Sequence, residues 1–321
     1  MPDVAGALAP ASRATTSMLV VGACLALAAQ LYLGVRPGMR MPAGDFANYY
    51  TAARVGMSGE DLTPAYTDFL WFQQRIDAAG FTAQLGGFAP QPPAAALVAM
   101  PLTYVSPLRA KKIWTALNVV AAVATIVVLG QLAGTGPLVA TIALVGTGVA
   151  LANDLALGQF YLPLLLCIAG GLLLVDRARP LAGGLVLGLL LPIKPFAVPL
   201  LIYFAIQRQW RVVAGAVISV AAVAGGSIAL LGWRVHAEYL RVVLPAQAAG
   251  MLQDPFHPLW QSWESLTRRM FVLEPTLNPS PVADLPGVQA FATAMAVCAI
   301  WVAVVLLVRA APDRRHLHYA A

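Results

Sequence analysis

Long apolar runs dominate the chain, and most are long enough to cross a membrane. A bilayer core of about 30 Å needs roughly 20 apolar residues in a helix, so each run of that length predicts a span. Two shorter runs are separated by Pro192-Ile193-Lys194-Pro195, which predicts a pair of short helices around a break. The runs that predict membrane segments are 17–35, 111–131, 137–153, 159–175, 181–193, 195–206, 211–232 and 289–309.

Two long intervals between these runs, 36–110 and 233–288, are more polar. The first predicts a helix at 45–57 and an amphipathic helix at 63–79, which opens with a Thr-Pro pair typical of a helix start. The second is rich in tryptophan and tyrosine, which favour the headgroup region of a bilayer. Both intervals are therefore predicted to form loops with amphipathic helices at the membrane surface.

The composition agrees with a membrane protein and excludes an ordinary soluble one. Apolar residues make up 60% of the chain and charged residues 11%, with a mean hydropathy of +0.75. Soluble domains carry about 25% charged residues, because water must wet their surface. The net charge of +6 is explained by cationic loops beside lipid headgroups, so we predict membrane lipid as a partner and no nucleic acid.

The cysteines predict neither disulfides nor a metal site. Cys24, Cys167 and Cys298 lie far apart, and each is inside an apolar run without a neighbouring Cys or His. No other residues have metal-ligand spacing, so the prediction is a protein without a metal or cofactor.

Cationic residues beside the short loops predict the orientation. The first apolar run is longer than the core of a secretory signal and more spans follow it, which favours an uncleaved first span. If 94–105 does not cross the membrane, both long loops face outward. One basic cluster, Arg109, Lys111 and Lys112, then lies outside and breaks the positive-inside rule. If 94–105 crosses, another basic loop must be exported instead. We therefore predict one multi-pass domain over 1–309 in the cytoplasmic membrane, with 176–180, 207–210 and a basic tail 310–321 inside.

Three charged residues fall at the outer face under this topology. Asp45 opens the helix 45–57, Asp154 lies between two spans, and Lys194 lies at the break between the two short helices. Charges at membrane depth are costly, so they suggest a functional site. Structural alternatives stay open: Asp45 as a helix cap, Asp154 as a solvated loop residue and Lys194 as a helix end that reaches toward water.

Five short patterns occur in a fixed order over residues 45–271 and together resemble glycosyltransferase family 87. These are polyprenyl-phosphate-mannose-dependent membrane mannosyltransferases of the GT-C superfamily. The patterns are Asp45-Phe46-x-x-Tyr49-Tyr50, then Pro92-Pro93 before Ile113-Trp114, then Gly158-Gln159, then Ala182-Gly183 before Lys194-Pro195, and finally Gln261-Ser262 before Arg268-Arg269.

The resemblance implies an all-α, GT-C-like fold of about eight membrane segments around an outward-facing cavity, with 94–105 as a re-entrant piece. It implies transfer of a hexose from a polyprenyl-phosphate donor, the co-substrate, to a lipid or glycan acceptor, with Asp45 as the catalytic base. Arg109, Lys111 and Lys194 are candidates for the lipid phosphate, and Asp154 and Gln159 for the pocket lining. The substrate-binding candidates are completed by Tyr49, Tyr50 and Gln261.

The chain also departs from the family pattern. Tyr161 stands where members often have Asn, and members usually run longer, with further spans toward the C-terminus. A shortened, non-catalytic member is therefore one alternative. A transporter or lipid-carrier flippase is another, because broken helices with an intramembrane lysine also occur in transporters. The absence of an internal repeat and the two large outward loops count against transport.

Overall fold

The computed structural model describes residues 13–82, 84–252, 254–257 and 262–310. Across these ranges the regular structure is helical, apart from an isolated bridge between Glu274 and Asn278. The chain divides into two compact units, Met1–His236 and Ala237–Ala321.

Where the structure describes it, the first unit contains fourteen helices, with a π-helical turn at Leu31–Val35 and 3-10 turns at Met100–Tyr104 and Pro195–Ala197. In chain order they are α1 (Arg13–Gln30), α2 (Arg36–Arg40), α3 (Asp45–Ser58), α4 (Pro64–Thr67), α5 (Phe69–Ala78), α6 (Ala95–Ala99), α7 (Pro107–Ala133), α8 (Pro137–Val145), α9 (Val149–Leu157), α10 (Tyr161–Asp176), α11 (Pro180–Leu189), α12 (Val198–Ile206), α13 (Trp210–Leu231) and α14 (Trp233–Glu238), the last of which runs past the end of the unit.

Helix length and hydropathy confirm an all-α membrane protein. Among the described residues, four stretches are long and apolar enough to cross a bilayer: Ser17–Met57, Pro107–Ala133, Trp210–Leu231 and Pro286–Ala303. A fifth span is added if α8 and α9 count as one segment. The total of eight segments stays a prediction, because α10, α11 and α12 are apolar but shorter than 18 residues.

The run predicted as one segment at 137–153 is two helices that meet at an angle of 77°. The break contains Gly148, whose φ of 59° and ψ of −117° form a conformation that residues with a side chain rarely adopt. Helix α9 consequently runs on to Leu157, beyond the predicted end, and leads directly into the loop before α10.

The amphipathic helix predicted at 63–79 is also interrupted. Asp68 adopts an extended conformation between α4 and α5, and its carboxylate accepts a hydrogen bond from the backbone N–H of Trp71 at 2.9 Å. A side chain that caps a new helix start competes with continuation of the old one. The prediction of one continuous helix was therefore wrong.

The segment 94–105 forms α6 and the 3-10 turn that follows it. Its ten helical residues, Ala95–Tyr104, reach about 15 Å at the α-helical rise and so about half of a bilayer core. Ala95, Ala96 and Ala99 are buried in the same core as α3, which supports a piece that enters without crossing.

Helix α3 lies in the largest hydrophobic cluster of the first unit. The cluster joins it to α5, α6 and the first turns of α7, with Phe72 and Phe88 fully buried. Phe46 stacks on Trp114 at 6.2 Å between ring centroids. This packing holds the N-terminal end of α3 against α7 and so determines where Asp45 lies.

The second unit contains the π-helical turn Tyr239–Val243 and the helices α15 (Leu244–Ala248), α16 (Trp263–Phe271) and α17 (Pro286–Ala310). Ser262 caps α16, because its hydroxyl accepts a hydrogen bond from the backbone N–H of Ser265 at 3.1 Å. Helices α16 and α17 are joined by a 2.8 Å hydrogen bond between the hydroxyls of Thr267 and Thr293. The predicted substrate residue Gln261 and the tail after residue 310 lie outside the described residues.

Candidate functional site

Asp45 is the first residue of α3, and its side chain does not cap that helix. Gly44 occupies the N-cap position with φ of 105°, and no side-chain cap hydrogen bond is formed there. The half-buried carboxylate of Asp45 instead accepts a hydrogen bond from Nε2 of Gln159 at 2.5 Å. The capping alternative is therefore wrong, and the positive end of the α3 dipole stabilises the carboxylate charge.

Two glycines bring the loops before α3 and α10 into contact. Both have positive φ, 105° at Gly44 and 74° at Gly158. A Cβ atom at Gly44 would lie 2.6 Å from the carbonyl oxygen of Leu157, and one at Gly158 would lie 2.6 Å from Nζ of Lys111. Only glycine fits this close approach, which places Gln159 beside Asp45.

Lys111 lies behind these loops and is fully buried. Its ammonium donates hydrogen bonds to the carbonyl oxygens of Ala156 at 2.9 Å and Ala43 at 3.3 Å. These contacts join the loop before α3 to the end of α9. They differ from the predicted role of Lys111 as a direct ligand of the lipid phosphate, because the ammonium is enclosed by backbone.

Gln84 is a site residue that the sequence did not indicate. Its side-chain amide accepts a hydrogen bond from the backbone N–H of Gly44 and donates one to the carbonyl oxygen of the same residue, both at 2.8 Å. A glutamine in an irregular loop carries no periodic or motif signal, so only the fold reveals this contact.

Asp154 is buried, with 3% of its surface exposed, and is therefore not the solvated loop residue of the structural alternative. One carboxylate oxygen accepts a hydrogen bond from the backbone N–H of Tyr161 at 3.1 Å, and the other has no partner among the described residues. Its backbone carbonyl accepts hydrogen bonds from the N–H groups of Gly158 and Gln159. Asp154 thus shapes the turn that carries Gln159.

Lys194 reaches the same place from the break before the Pro195–Ala197 turn. It is half-buried, and its Nζ lies 5.8 Å from the ring centroid of Tyr161. It is close enough to Asp45 to interact with that charge, as are Lys111 and Asp154. Two carboxylates and two ammonium groups that are distant in sequence therefore form one cluster.

The two predicted tyrosines are buried, with 2% of Tyr49 and 1% of Tyr50 exposed. Tyr49 packs on Phe160 at 4.1 Å between ring centroids, and the hydroxyl of Tyr50 donates a 2.7 Å hydrogen bond to the carbonyl oxygen of Val105. Both side chains therefore lie inside the protein rather than on an open binding surface.

Arg109 lies exposed in the first turn of α7, outside the hydrogen-bonded contacts around Asp45. In the parts of the chain that the structure describes, no group of three His, Cys, Asp or Glu side chains converges on a position where a metal ion could bind. The groups that meet at the cluster are carboxylates, an amide and ammonium groups.

The fold and the cluster define a polytopic α-helical membrane protein with a charged site where the loops meet the ends of its helices. A family model described as glycosyltransferase family 87 matches residues 91–321, well over half of the chain. The chain belongs to glycosyltransferase family 87 and is therefore a membrane glycosyltransferase. Searches of curated proteins and of solved structures found no match.

The matched range includes Lys111, Asp154 and Lys194 of the cluster, together with Gln159, and begins after Asp45. The family match therefore does not itself assign a role to Asp45. Its position rests on the contact with Gln159, which the matched part of the chain supplies.

Proposed function

We propose that this glycosyltransferase transfers a hexose, mannose on the family resemblance, from a polyprenyl-phosphate donor to a lipid or glycan acceptor. The reaction takes place at the outer face of the cytoplasmic membrane, inverts the anomeric configuration, and uses Asp45 as the general base. The observation that carries the proposal is the carboxylate of Asp45, hydrogen-bonded to Gln159 within a cluster that also contains Lys194.

The chemistry of the reaction requires few groups. A phosphate leaves readily at neutral pH, so the donor needs no general acid. The acceptor hydroxyl is a poor nucleophile and needs a base to take its proton. The departing phosphate develops negative charge, which a fixed cation stabilises.

The cluster offers these two functions on different elements. Asp45 is half-buried and is not occupied by capping, so its carboxylate is available to an acceptor hydroxyl. Lys194 has its ammonium over the Tyr161 ring and is the cation we assign to the lipid phosphate, with Arg109 as a second candidate on the exposed surface. Lys111 holds the loop before Asp45, and Asp154 shapes the turn that carries Gln159.

The test is a transfer assay with purified protein in lipid nanodiscs, radiolabelled polyprenyl-phosphate mannose and a membrane-lipid extract as acceptor. The Asp45→Asn variant keeps the shape of the side chain and an oxygen for the Gln159 amide, but it cannot accept a proton. We expect it to fold normally and to lose roughly 10²- to 10⁴-fold in rate, the usual contribution of one general base.

The matched control is Asp176→Asn, which removes a carboxylate from the exposed C-terminal end of α10 and should leave the rate unchanged. Near-full activity of a folded Asp45→Asn protein would rule out Asp45 as the base. Labelled donor that crosses the membrane without transfer of its sugar would instead support the flippase alternative.

A further inference from the structure

A cavity lies at the opposite end of α3 from Asp45. It has a volume of about 450 Å³, within the range of roughly 300–1,000 Å³ that is typical of ligand sites. Its walls are the last turn of α3, the turn that follows it, and the junction of α13 and α14. The lining residues are Gly56, Gly59, Glu60, Asp61, Leu230, Leu231, Gly232, Trp233 and Arg234.

The cavity is separate from the cluster around Asp45. Helix α3 has 14 residues. At the α-helical rise of 1.5 Å per residue its two ends are about 20 Å apart. A ligand in this cavity is therefore remote from the proposed reacting hydroxyl.

Asp61 presents a positioned carboxylate to the cavity. One of its oxygens accepts hydrogen bonds from the backbone N–H and the hydroxyl of Thr63, at 2.9 and 2.7 Å. The Thr63 hydroxyl holds the pKa of Asp61 below its ordinary value, so the group stays an ionised acceptor. Its other oxygen lies 4.0 Å from the guanidinium of Arg234.

Arg234 retains most of its hydrogen-bonding capacity. Its side chain is 88% exposed, and the 4.0 Å separation from Asp61 is a loose surface ion pair of little energetic value. A ligand can therefore accept hydrogen bonds from Arg234 without a large cost of separation. Glu60, in contrast, is held by its ion pair with Arg75.

Trp233 supplies an exposed aromatic face beside these polar groups. It follows the span α13, and 57% of its surface is exposed. A tryptophan at the end of a span is commonly an anchor in the headgroup region, which would need no cavity. Here the indole lines a cavity together with a carboxylate and a guanidinium, which is a different arrangement.

Charge and polarity select the class of ligand. The two carboxylates outnumber the one guanidinium in the lining, which disfavours a phosphate or another anion. The charged walls disfavour an acyl chain. A hexose combines an apolar C–H face, which packs on an aromatic ring, with hydroxyl groups that donate to carboxylates and accept from guanidinium.

We propose that this cavity is a distal subsite that binds neutral hexose residues of a glycan acceptor. This inference rests on the proposed function, because the subsite would hold one part of the acceptor while another part reacts at Asp45, about 20 Å away. The acceptor would then be an oligosaccharide chain, free or lipid-linked, rather than a single sugar. Trp233 packs on the sugar face, and Asp61 and Arg234 bind its hydroxyls.

The test measures binding of two soluble neutral trisaccharides, mannotriose and maltotriose, to the purified protein by saturation-transfer difference NMR. We expect at least one of them to bind. Trp233→Leu and Asp61→Asn should each weaken that binding tenfold or more, with an unchanged thermal unfolding midpoint. The Asn side chain keeps an oxygen for Thr63 and removes only the charge.

Trp210→Leu is the matched control. Trp210 begins α13 and is 62% exposed, whereas Trp233 follows the opposite end of that helix. This variant should bind the trisaccharide as the wild type does. The inference is overturned if neither trisaccharide binds, or if Trp233→Leu and Trp210→Leu bind equally well. Should Trp233→Leu fail to fold, Asp61→Asn decides alone.

The same measurement on Asp45→Asn separates this inference from the proposed function. Because Asp45 is about 20 Å away, trisaccharide binding should be unchanged in that variant. Trp233-dependent binding without any sugar transfer would contradict the proposed function and leave the glycan subsite in place. Sugar transfer together with Trp233-independent binding would overturn the subsite alone.

Discussion

Charged residues of the same type have different roles in this protein, and their contacts decide which. Lys111 is enclosed and donates to two backbone carbonyls, whereas Lys194 is half-buried with its ammonium over the Tyr161 ring. Asp154 uses one oxygen for a backbone N–H, whereas Asp45 accepts a hydrogen bond from a side chain. The first member of each pair supports the loops, and the second is the residue that we propose to meet substrate.

Exchange of either lysine for methionine should separate these roles. Lys194→Met should raise the KM for the polyprenyl-phosphate donor about tenfold to a hundredfold, since a hydrogen bond to a charged group contributes about 1.5–3 kcal/mol. Its unfolding midpoint should stay the same. Lys111→Met removes the hydrogen bonds to the part-buried carbonyls of Ala43 and Ala156, at a cost of about 1.5–3 kcal/mol each, and should lower the unfolding midpoint. Steady-state kinetics and thermal unfolding in detergent measure both effects. An unchanged donor KM in Lys194→Met would show that Lys194 does not bind the phosphate.

Gln159 should act as a positioning residue for Asp45. In Gln159→Leu the carboxylate loses its 2.5 Å hydrogen-bond donor and is free to rotate away from the acceptor. We expect kcat to fall about tenfold or more, from the loss of about 1.5–3 kcal/mol, while the donor KM and the unfolding midpoint stay the same. Gln131→Leu removes an exposed glutamine that bonds Arg177 instead, and it should leave kcat unchanged. Equal kcat values for the two variants would exclude this role.

At the scale of the elements, the turn between α9 and α10 determines the site. It brings Gly158 against Phe46 and Lys111, and it carries Gln159 on the next residue. Helix α9 points into this turn because the predicted single segment bends by 77° after α8. The bend between α8 and α9 therefore helps to place Gln159 at the site.

Gly158→Ala tests how tightly this turn is packed. The residue has φ of 74°, which costs an L-residue about 1–2 kcal/mol, and the new methyl group would lie 2.6 Å from Nζ of Lys111. Displacement of that ammonium would add the loss of its hydrogen bonds. Gly134→Ala is a control with similar φ, 61°, and open space around it. We expect thermal unfolding to show a larger loss for Gly158→Ala, together with lower activity. Equal losses would mean that backbone conformation alone matters at Gly158.

At the scale of the whole molecule, orientation decides whether the site lies outside the cell, as the proposed reaction requires. The positive-inside rule predicts that 36–110 and 233–288 face outward and that 207–210 faces the cytoplasm. Ser58 and Ser280 are exposed in the two long segments, and Gln209 lies in the short basic loop. These three positions can report the orientation independently of enzymatic activity.

Single cysteines at these positions, in a background without the three native cysteines, test the orientation. We expect Ser58→Cys and Ser280→Cys to react with an impermeant maleimide in intact cells. Gln209→Cys should react only after lysis, which also shows that the reagent stays outside. Protection of position 58 in intact cells would place Asp45 on the wrong side for the proposed reaction.

The sequence alone determined the class of protein and most helices, because hydropathy is a local property that sums along the chain. It placed 94–105 as a short piece and Lys194 at a helix break for the same reason. It missed the break at Asp68, where one capping hydrogen bond outweighs helical periodicity. It also assigned Lys111 to phosphate, because burial depends on residues more than 40 positions away.

Only the tertiary structure decided which residues meet at the site. The hydrogen bond from Gln159 to Asp45 joins positions 114 apart, and the bonds between Gln84 and Gly44 join positions 40 apart. No periodicity or motif encodes such pairs, since they depend on how two turns approach each other. That approach depends on the absence of side chains at Gly44 and Gly158, and on the buried ammonium of Lys111 between the loops.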